Sequence, residues 1–581
     1  MIQSEPAAAV EFSRPAPPSR MRFALRLLTG FWGSRASLGA WLMLLVLLSV
    51  TFGGVYIFLW KNRWQGQFFD SLQHKDLAAF MSLMSWYFVV AGIAIAVGAV
   101  QAFFTNLISI KWREWLTRQY LDRWMSERNY HRLEVGAQLD NPDQRIAEDI
   151  QLFTQNILSV AIGLLVAVST IGSFGVVLWQ LGGAASFSLG GQQFYLPGYM
   201  VLASVAYALI GSWLVVKIGG GIVHVVGAQQ RLEAGFRFLL IHVRRAAEQI
   251  AFFRGEAAER GRLGQSFDKV IRNWRELAVA RVRVSATQSV YSEAGEVLPL
   301  LLVMPQFFAG QITFGAVMQT RDAFTQFGAS LSYFVQSYLA IAHLQAIVRR
   351  LHELVLVMDK PPAAGITQVE TEALEIVIER LQLDRPGGEP LVQVGSLTIR
   401  PGERWLISGR SGVGKSTLLR ALAGLWRSGQ GRIAMPAKLK QMFISQRPFF
   451  PVGTLREALA FPAPADAFET VAFERVLSQC ALAHLRARLD EQTEWDRELS
   501  VGEQQRVAFC RIFLQRPALI FLDEATSALD PEAERQMYQL LIDGLPQVTL
   551  ISVAHGDSLD AFHTHGLQLS AEQAACASLI P

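Results

Sequence analysis

Cysteine is nearly absent from this chain. Only Cys480, Cys510 and Cys576 occur in 581 residues, all in the C-terminal part, and their spacing matches no zinc or redox motif. Free thiols there suit a reducing cytosol. Charge is also scarce: Asp, Glu, Lys and Arg make up 18% of the residues and the net charge is +4, too small a surplus to leave a nucleic-acid footprint. No nucleic-acid partner is therefore expected. A cleavable signal peptide is not expected, because the Arg- and Pro-containing stretch up to Arg35 precedes an apolar run too long for an h-region. No internal repeat is found.

What remains is long and apolar. The hydrophobic share is 51%, and the length exceeds one ordinary domain. Six segments are long enough to span a bilayer: 38–60, 80–110, 157–181, 199–218, 285–309 and 314–339. Arg14, Arg20, Arg22 and Arg26 precede the first, and arginine is frequent in 111–145 and 231–283, whereas LGGAASFSLGGQQFYLPG (181–198) carries no charge. The positive-inside rule then puts both termini and both long polar loops in the cytoplasm. The last helical pattern runs on from Phe314 to about Leu354 as one helix, about 60 Å long at ~1.5 Å per residue, and so projects beyond the bilayer.

The sixth segment carries two stripes. Gln319, Asp322, Gln326, Ser330, Tyr333 and Ser337 recur at helical spacing, and Phe324, Phe327, Leu331 and Phe334 form another face. Glu293 and Glu296 in the fifth segment stand three apart on one helical face. Ionisable groups at membrane depth normally face water or a bundle interior. Glu293, Glu296, Asp322, Gln326 and Tyr333 are thus the candidate lining of a wet cavity for a cationic or polar solute. The alternative is that they pair with Arg321 and hold the bundle.

After DKPPAAGIT the character changes to short apolar strands alternating with helical patterns, an α/β domain. The expected division is an N-terminal tail and elbow helix (1–36), a membrane domain with long cytoplasmic helices (37–357), a linker (358–372) and a nucleotide-binding domain (373–581). GRSGVGKST follows the strand WLIS and opens a helix, the context a phosphate loop requires. Gly409, Gly412 and Gly414 let backbone N–H groups approach phosphate oxygens, with Arg410, Ser411, Val413 and Thr417 completing the loop. Lys415 reaches the β- and γ-phosphates, and Ser416 ligates Mg²⁺. ALIFLDE ends in Asp523, suited to the Mg²⁺ shell, and Glu524, placed to orient or deprotonate the attacking water.

LSVGEQQR, together with these motifs, resembles the ATP-binding-cassette (ABC) ATPases. The resemblance implies that Ser500, Val501, Gly502 and Glu503 meet ATP bound to a partner subunit. It also implies that Gln446 is the Q-loop glutamine and a Mg²⁺ neighbour, that Ser527–Asp530 is the D-loop and that His555 is the switch histidine. The family's adenine-stacking aromatic is missing; Arg385 or Pro386 in LQLDRPGGEPLV covers the base instead. One phosphate loop and one signature per chain imply a homodimer.

The six-span unit ahead of one cassette resembles exporter-type (type IV) half-transporters. WQGQFFDSLQHKD, DNPDQRIAED and EAGFRFLLIHVRRAAEQIAFFRGE resemble the SbmA/BacA-like family, closest to its YddA-type members and related to peroxisomal fatty-acyl-CoA transporters. The resemblance implies a bacterial inner-membrane transporter that uses ATP and Mg²⁺ to move a peptide, cobalamin-like or other hydrophilic compound, expected inward. Export of a lipid, acyl-CoA or drug, and a membrane-bound sensor ATPase, are the competing readings. DNPDQRIAED itself reads as a helix start with Asn141 as cap and Pro142 in the first turn, expected to act as a coupling helix.

Overall fold

Residues 38–73 are apolar on nearly every side, and they form one unbroken helix. In the computed structural model it is α2 (Leu38–Gln73), preceded by the amphipathic α1 (Arg20–Trp32). Asp76 then starts α3 (Leu77–Met125) by accepting the Ala79 N–H at 3.0 Å, an N-cap. There follow α4 (Ile150–Gly182), α5 (Tyr199–Gly219), α6 (Ile222–Arg245), α7 (Glu256–Phe308), α8 (Phe314–Leu331) and α9 (Tyr338–Asp359). Between α4 and α5 the uncharged segment forms an antiparallel hairpin of β1 (Ala184–Leu189) and β2 (Gln192–Pro197). The structure describes residues 20–136, 139, 141–182, 184–189, 192–333, 337–360, 365–554, 557–570 and 576–579. His555, Phe334 and the tail before Arg20 lie outside the described residues.

Two expectations meet the helices here. Among the described residues, four helical stretches are long and apolar enough to cross a membrane: Arg35–Gln73, Leu77–Val135, Pro142–Gly182 and Tyr199–Ile218. The fifth and sixth expected spans are helical in α7 and α8. Glu293, Glu296, Pro299 and Pro305 dilute the first, and Arg321 and Asp322 the second. The expected continuous helix from Phe314 is met as two described helices, α8 and α9. Ser332 closes α8, its N–H on the Gly328 carbonyl at 3.1 Å, and Ser330 turns its hydroxyl back onto the Gln326 carbonyl at 2.8 Å. Serine back-bonding of this kind competes with regular helix and bends it.

The helices pack through two apolar clusters. In one, Phe23, Leu27 and Phe31 of α1 lie against Trp112 and Leu116 of α3, Phe153 of α4 and Ile347 and Leu351 of α9. In the other, Phe174 and Leu178 of α4, Met200 of α5 and Val303 of α7 enclose Phe324 and Phe327 of α8. The apolar stripe of the sixth segment is therefore turned to other helices. Tyr207 of α5 and Tyr291 of α7 stack with centroids 4.2 Å apart. A side chain at Gly211 would overlap the Tyr291 ring, so glycine permits this approach.

The chain divides into two compact units, Met1–Lys360 and Pro361–Pro581. The second is α/β. β3 (Thr367–Thr371), β4 (Ile376–Asp384), β5 (Pro390–Ile399) and β7 (Gly429–Pro436) form a four-stranded sheet in the order β3-β7-β4-β5. β6 (Arg404–Ser408), β8 (Gln441–Ile444), β9 (Leu519–Asp523), β10 (Thr549–Val553), β11 (His565–Gln568) and β12 (Cys576–Leu579) form a six-stranded sheet, order β12-β11-β6-β10-β9-β8. Its inner strands pair in parallel and β10 is buried along its whole length, the pattern of a sheet covered on both faces. α10 (Lys415–Leu422) follows β6, α11 (Val501–Gln515) precedes β9, and α12 (Pro531–Gly544) follows it.

Candidate functional site

The loop between β6 and α10 is shaped by glycine. Gly409, Gly412 and Gly414 have φ of 144°, 80° and 114°, in the region that strains other residues. A Cβ at Gly409 would stand 2.6 Å from the Leu569 carbonyl oxygen. Lys415 folds back over this loop, its Nζ donating to the carbonyls of Gly409 at 2.8 Å and Arg410 at 3.3 Å. The first-turn N–H groups of α10 have no helical acceptor and give the loop positive potential.

β9 delivers its carboxylates to the same place. Ser416 Oγ donates to Asp523 Oδ1 at 2.8 Å. Burial raises the Asp523 pKa above the usual carboxylate range; the Ser416 hydrogen bond opposes this and the neighbouring Glu524 charge adds to it. A half-buried carboxylate beside a hydroxyl is a hard-oxygen pair that suits Mg²⁺. Glu524 takes a left-handed conformation, φ 51°, with its N–H on the Val553 carbonyl at 2.9 Å. Its Oε2 accepts from Gln446 Nε2 at 3.1 Å. Ser416, Asp523, Glu524 and Gln446 are thus brought together, and the residues present fit a magnesium nucleotide.

Gln505 was not singled out in the sequence, and it is fully buried. Its Nε2 donates to the Gln446 carbonyl at 3.2 Å and to Ser527 Oγ at 3.3 Å, while its Oε1 accepts the Ala528 N–H at 3.0 Å. One amide of α11 therefore joins the segment of Gln446 to the turn after Glu524. Arg511, on the same helix, donates to the carbonyls of Ala458 at 2.8 Å and Phe449 at 2.7 Å, and burial lowers it to about 10. Its signal in sequence was a charge placed inside the apolar run VAFCRIFL.

Ser500 and Glu503 close a capping box at the start of α11: Ser500 Oγ donates to Glu503 Oε2 at 2.7 Å, and Glu503 N–H points back to Ser500 Oγ at 3.4 Å. Val501 is exposed and Gly502 half-buried in this first turn. Ser500, followed by His484, holds the Glu503 carboxyl below its usual range. Asp530 caps α12, accepting the Ala533 N–H at 2.8 Å. Arg385 sits in the tight turn between β4 and β5, exposed, its guanidinium on Glu389 at 3.2 Å.

The five membrane candidates are not one group. Glu293 and Glu296 are exposed on α7, and Glu296 pairs with Arg321 at 3.5 Å. Asp322 accepts from Asn62 Nδ2 at 2.8 Å, and the same Nδ2 reaches the Gln319 carbonyl at 2.9 Å, tying α8 to α2. Asp70 and Gln73 add bonds to the N–H groups of Gly315 and Phe314. Gln326 is half-buried, its carbonyl taken by Ser330. Tyr333 alone of the five lines a cavity of about 600 Å³ between α3, α4 and α8. Its hydroxyl donates to the Val160 carbonyl at 2.9 Å, and its ring covers Gly163, where any Cβ would overlap it. Gln101, Thr105, Asn106, Ser159 and Ser330 line the same cavity.

A phosphate loop, a strand-end acidic pair and a signature helix on one α/β unit, with a helical membrane unit on the same chain, define an ATPase coupled to membrane transport. Residues 28–308 match the family described as ABC transporter transmembrane region 2, and residues 392–527 match the family described as ABC transporter. The inner membrane ABC transporter ATP-binding protein YddA of Escherichia coli is 33% identical over 91% of this chain and 94% of its own length. The human lysosomal cobalamin transporter ABCD4 is 29% identical over 94% of this chain and 93% of its own. A solved bacterial Atm1-family ABC exporter with ATP bound superposes with a TM-score of 0.74 at 17% identity, covering 94% of this chain and 95% of that one, a likeness of fold. The chain belongs to the ABC transporters, as a membrane-integral half-transporter related to YddA and the D family. The SbmA/BacA-like label finds no support among these relatives.

Proposed function

We propose that this chain acts as an ATP-hydrolysing homodimer that moves a polar solute across a bacterial inner membrane, with both termini on the cytoplasmic side. The observation that supports the cargo class is the mixed lining of the cavity between α3, α4 and α8, where Gln101, Thr105, Asn106, Ser159, Ser330 and Tyr333 stand among Ile162, Val166 and small residues, with no carboxylate or cation. A lipid or drug exporter would be expected to present an aromatic, apolar wall there. The relative named for cobalamin, a large polar compound, supports the same class. The division into tail, membrane domain, linker and nucleotide-binding domain follows the sequence reading above.

In the nucleotide unit the roles are assigned to the residues already brought together. Lys415 and the loop N–H groups hold the phosphates. Ser416 and Asp523, with Gln446 beside them, hold Mg²⁺, which when bound supplies charge neutralisation at the phosphates. Glu524 orients or deprotonates water, and Gln446 holds Glu524 in place. Ser500, Val501, Gly502 and Glu503 serve the partner's nucleotide. Arg385 is already engaged by Glu389, so covering the base requires it to leave that exposed pair, a small cost.

Reconstituted proteoliposomes test the reading. Labelled polar solutes are screened for ATP-dependent movement in either direction, inward being the sense expected. Gln101→Leu and Asn106→Leu should reduce transport while leaving basal ATP hydrolysis intact. Glu524→Gln should keep ATP binding and slow turnover by about two orders of magnitude or more. Transport of labelled lipid, unaffected by Gln101→Leu, would overturn the cargo class. Near-normal turnover in Glu524→Gln would remove that residue from its role.

A further inference from the structure

Residues 141–149 of the DNPDQRIAED motif are tied to α9 within their own unit, and beside them lies a second cavity that the transport reading does not use. It is a half-open cleft of about 580 Å³, within the range of small-molecule sites. One wall is the motif segment, with Gln144, Arg145, Glu148 and Asp149; a second is α9, with His343 and Arg350; the third is one face of α6, with Gln229, Gln230, Glu233 and Arg237.

The charges in these walls are three of each sign, but they are not equally free. Arg350 holds Asp149 through two hydrogen bonds, Nε at 2.7 Å and a terminal nitrogen at 2.6 Å. Arg145 donates to the Arg350 carbonyl at 2.7 Å and pairs with Glu353 at 3.4 Å. Those four groups are committed to joining the motif to α9. Glu148 accepts only an amide, from Gln144 at 2.9 Å, and Glu233 only an indole N–H, from Trp274 at 3.4 Å. Among the described residues Arg237 has no hydrogen-bond or ion-pair partner, and neither has His343.

A simple anion entering this cavity meets Glu148 and Glu233. A simple cation meets Arg237. An apolar molecule finds little of its own kind in these walls, where only Leu152, Val226 and Ala234 are apolar. A molecule carrying both charges answers all of these groups: a carboxylate for Arg237, an ammonium for Glu233, and peptide groups for the glutamines. We propose that this cavity between the DNPDQRIAED segment, α6 and α9 is a binding site for a short zwitterionic peptide with free amino and carboxyl ends. The site is separate from the cleft lined by Tyr333. It lies against the helix that leads directly into the linker before the nucleotide unit.

The experiment uses the full-length protein in nanodiscs and trialanine as the probe, with binding measured by calorimetry. Free trialanine should bind, and N-acetyl-trialanine amide should not. Arg237→Gln and Glu233→Gln should each weaken trialanine at least about tenfold, the loss expected for one charged hydrogen bond. Arg237→Lys should restore most of it. Neither glutamine variant touches the Asp149–Arg350 pair, so melting temperatures should stay at the parent value. Equal binding of free and capped peptide, binding indifferent to Arg237 and Glu233, displacement of trialanine by inorganic phosphate alone, or no binding at millimolar probe would each overturn the site. Gln101→Leu separates this from the transport reading: it should leave trialanine binding unchanged. Loss of binding in Gln101→Leu but not in Arg237→Gln would place the peptide in the membrane cleft and remove it from this cavity.

Discussion

Asp523 works against the fold when it is ionised. Burial beside Glu524 raises its carboxyl above the usual range, so its ionised form costs stability in the nucleotide-free protein. A group whose pKa rises on folding contributes stability only below its unfolded value and loses it as pH climbs through the folded one. At neutral pH, therefore, Asp523→Asn should raise the melting temperature of the nucleotide-free protein, with Ser416 Oγ still able to donate to the new side-chain oxygen. The gain should shrink as pH is lowered through the Asp523 titration. The same variant should lose the extra stabilisation that Mg²⁺ adds to ATP. Thermal scans at two pH values, with and without MgATP, read all three effects. A melting temperature lowered equally at both pH values would mean that the carboxylate is needed by the fold itself.

Between elements, Asp149 and Arg350 form a two-bond polar lock in the membrane unit. Asp149 is almost wholly buried and Arg350 about a third exposed. Such a pair lies between surface bridges, worth below about 1 kcal/mol, and fully buried ones, whose rupture costs about 3–5 kcal/mol. Removing the arginine strands a buried carboxylate; removing the aspartate leaves a cation that can swing towards water. Arg350→Met should thus cost about 2 kcal/mol and Asp149→Leu less, and the double variant should cost less than the sum. A strictly additive double-mutant cycle would show that the two do not act as a pair. The sequence displayed the motif plainly, because Asn-Pro followed by acids is a helix start. It did not display Arg350 as its partner, since 201 residues separate them and only packing sets the register. Phosphate-loop residues, by contrast, were legible individually: Gly409, Gly412 and Gly414 stand where local backbone geometry demands glycine. Gln505 and Arg511 escaped notice because all but one of their hydrogen-bond partners are backbone groups, which leave no mark in sequence. The polar stripe of α8 was legible as a stripe. Its division into Asp322 held by Asn62 and Tyr333 lining a cavity depended on which helices flank it.

At the scale of the whole molecule, the chain supplies one phosphate loop and one signature helix, and the reading of the site gives these two to different nucleotides. Lys415, folded over its own loop, and Ser500, capping its own helix, then belong to opposite halves of a shared site. Ser500 is replaceable without loss of the capping carboxylate Glu503, so Ser500→Arg should leave the nucleotide unit folded while blocking the surface offered to a partner. Lys415→Ala should leave that surface intact and disable the loop. Each variant alone forms dimers with two defective sites. In a mixed dimer one site carries both defects and the other carries neither. ATP hydrolysis in co-reconstituted mixtures should therefore exceed that of both parents, and it should rise and fall with the fraction of mixed pairs as the ratio of the two chains is varied. Chains that hydrolyse ATP as independent monomers would give only the weighted average of the two parents at every ratio, and that outcome would overturn the shared site and the homodimer with it.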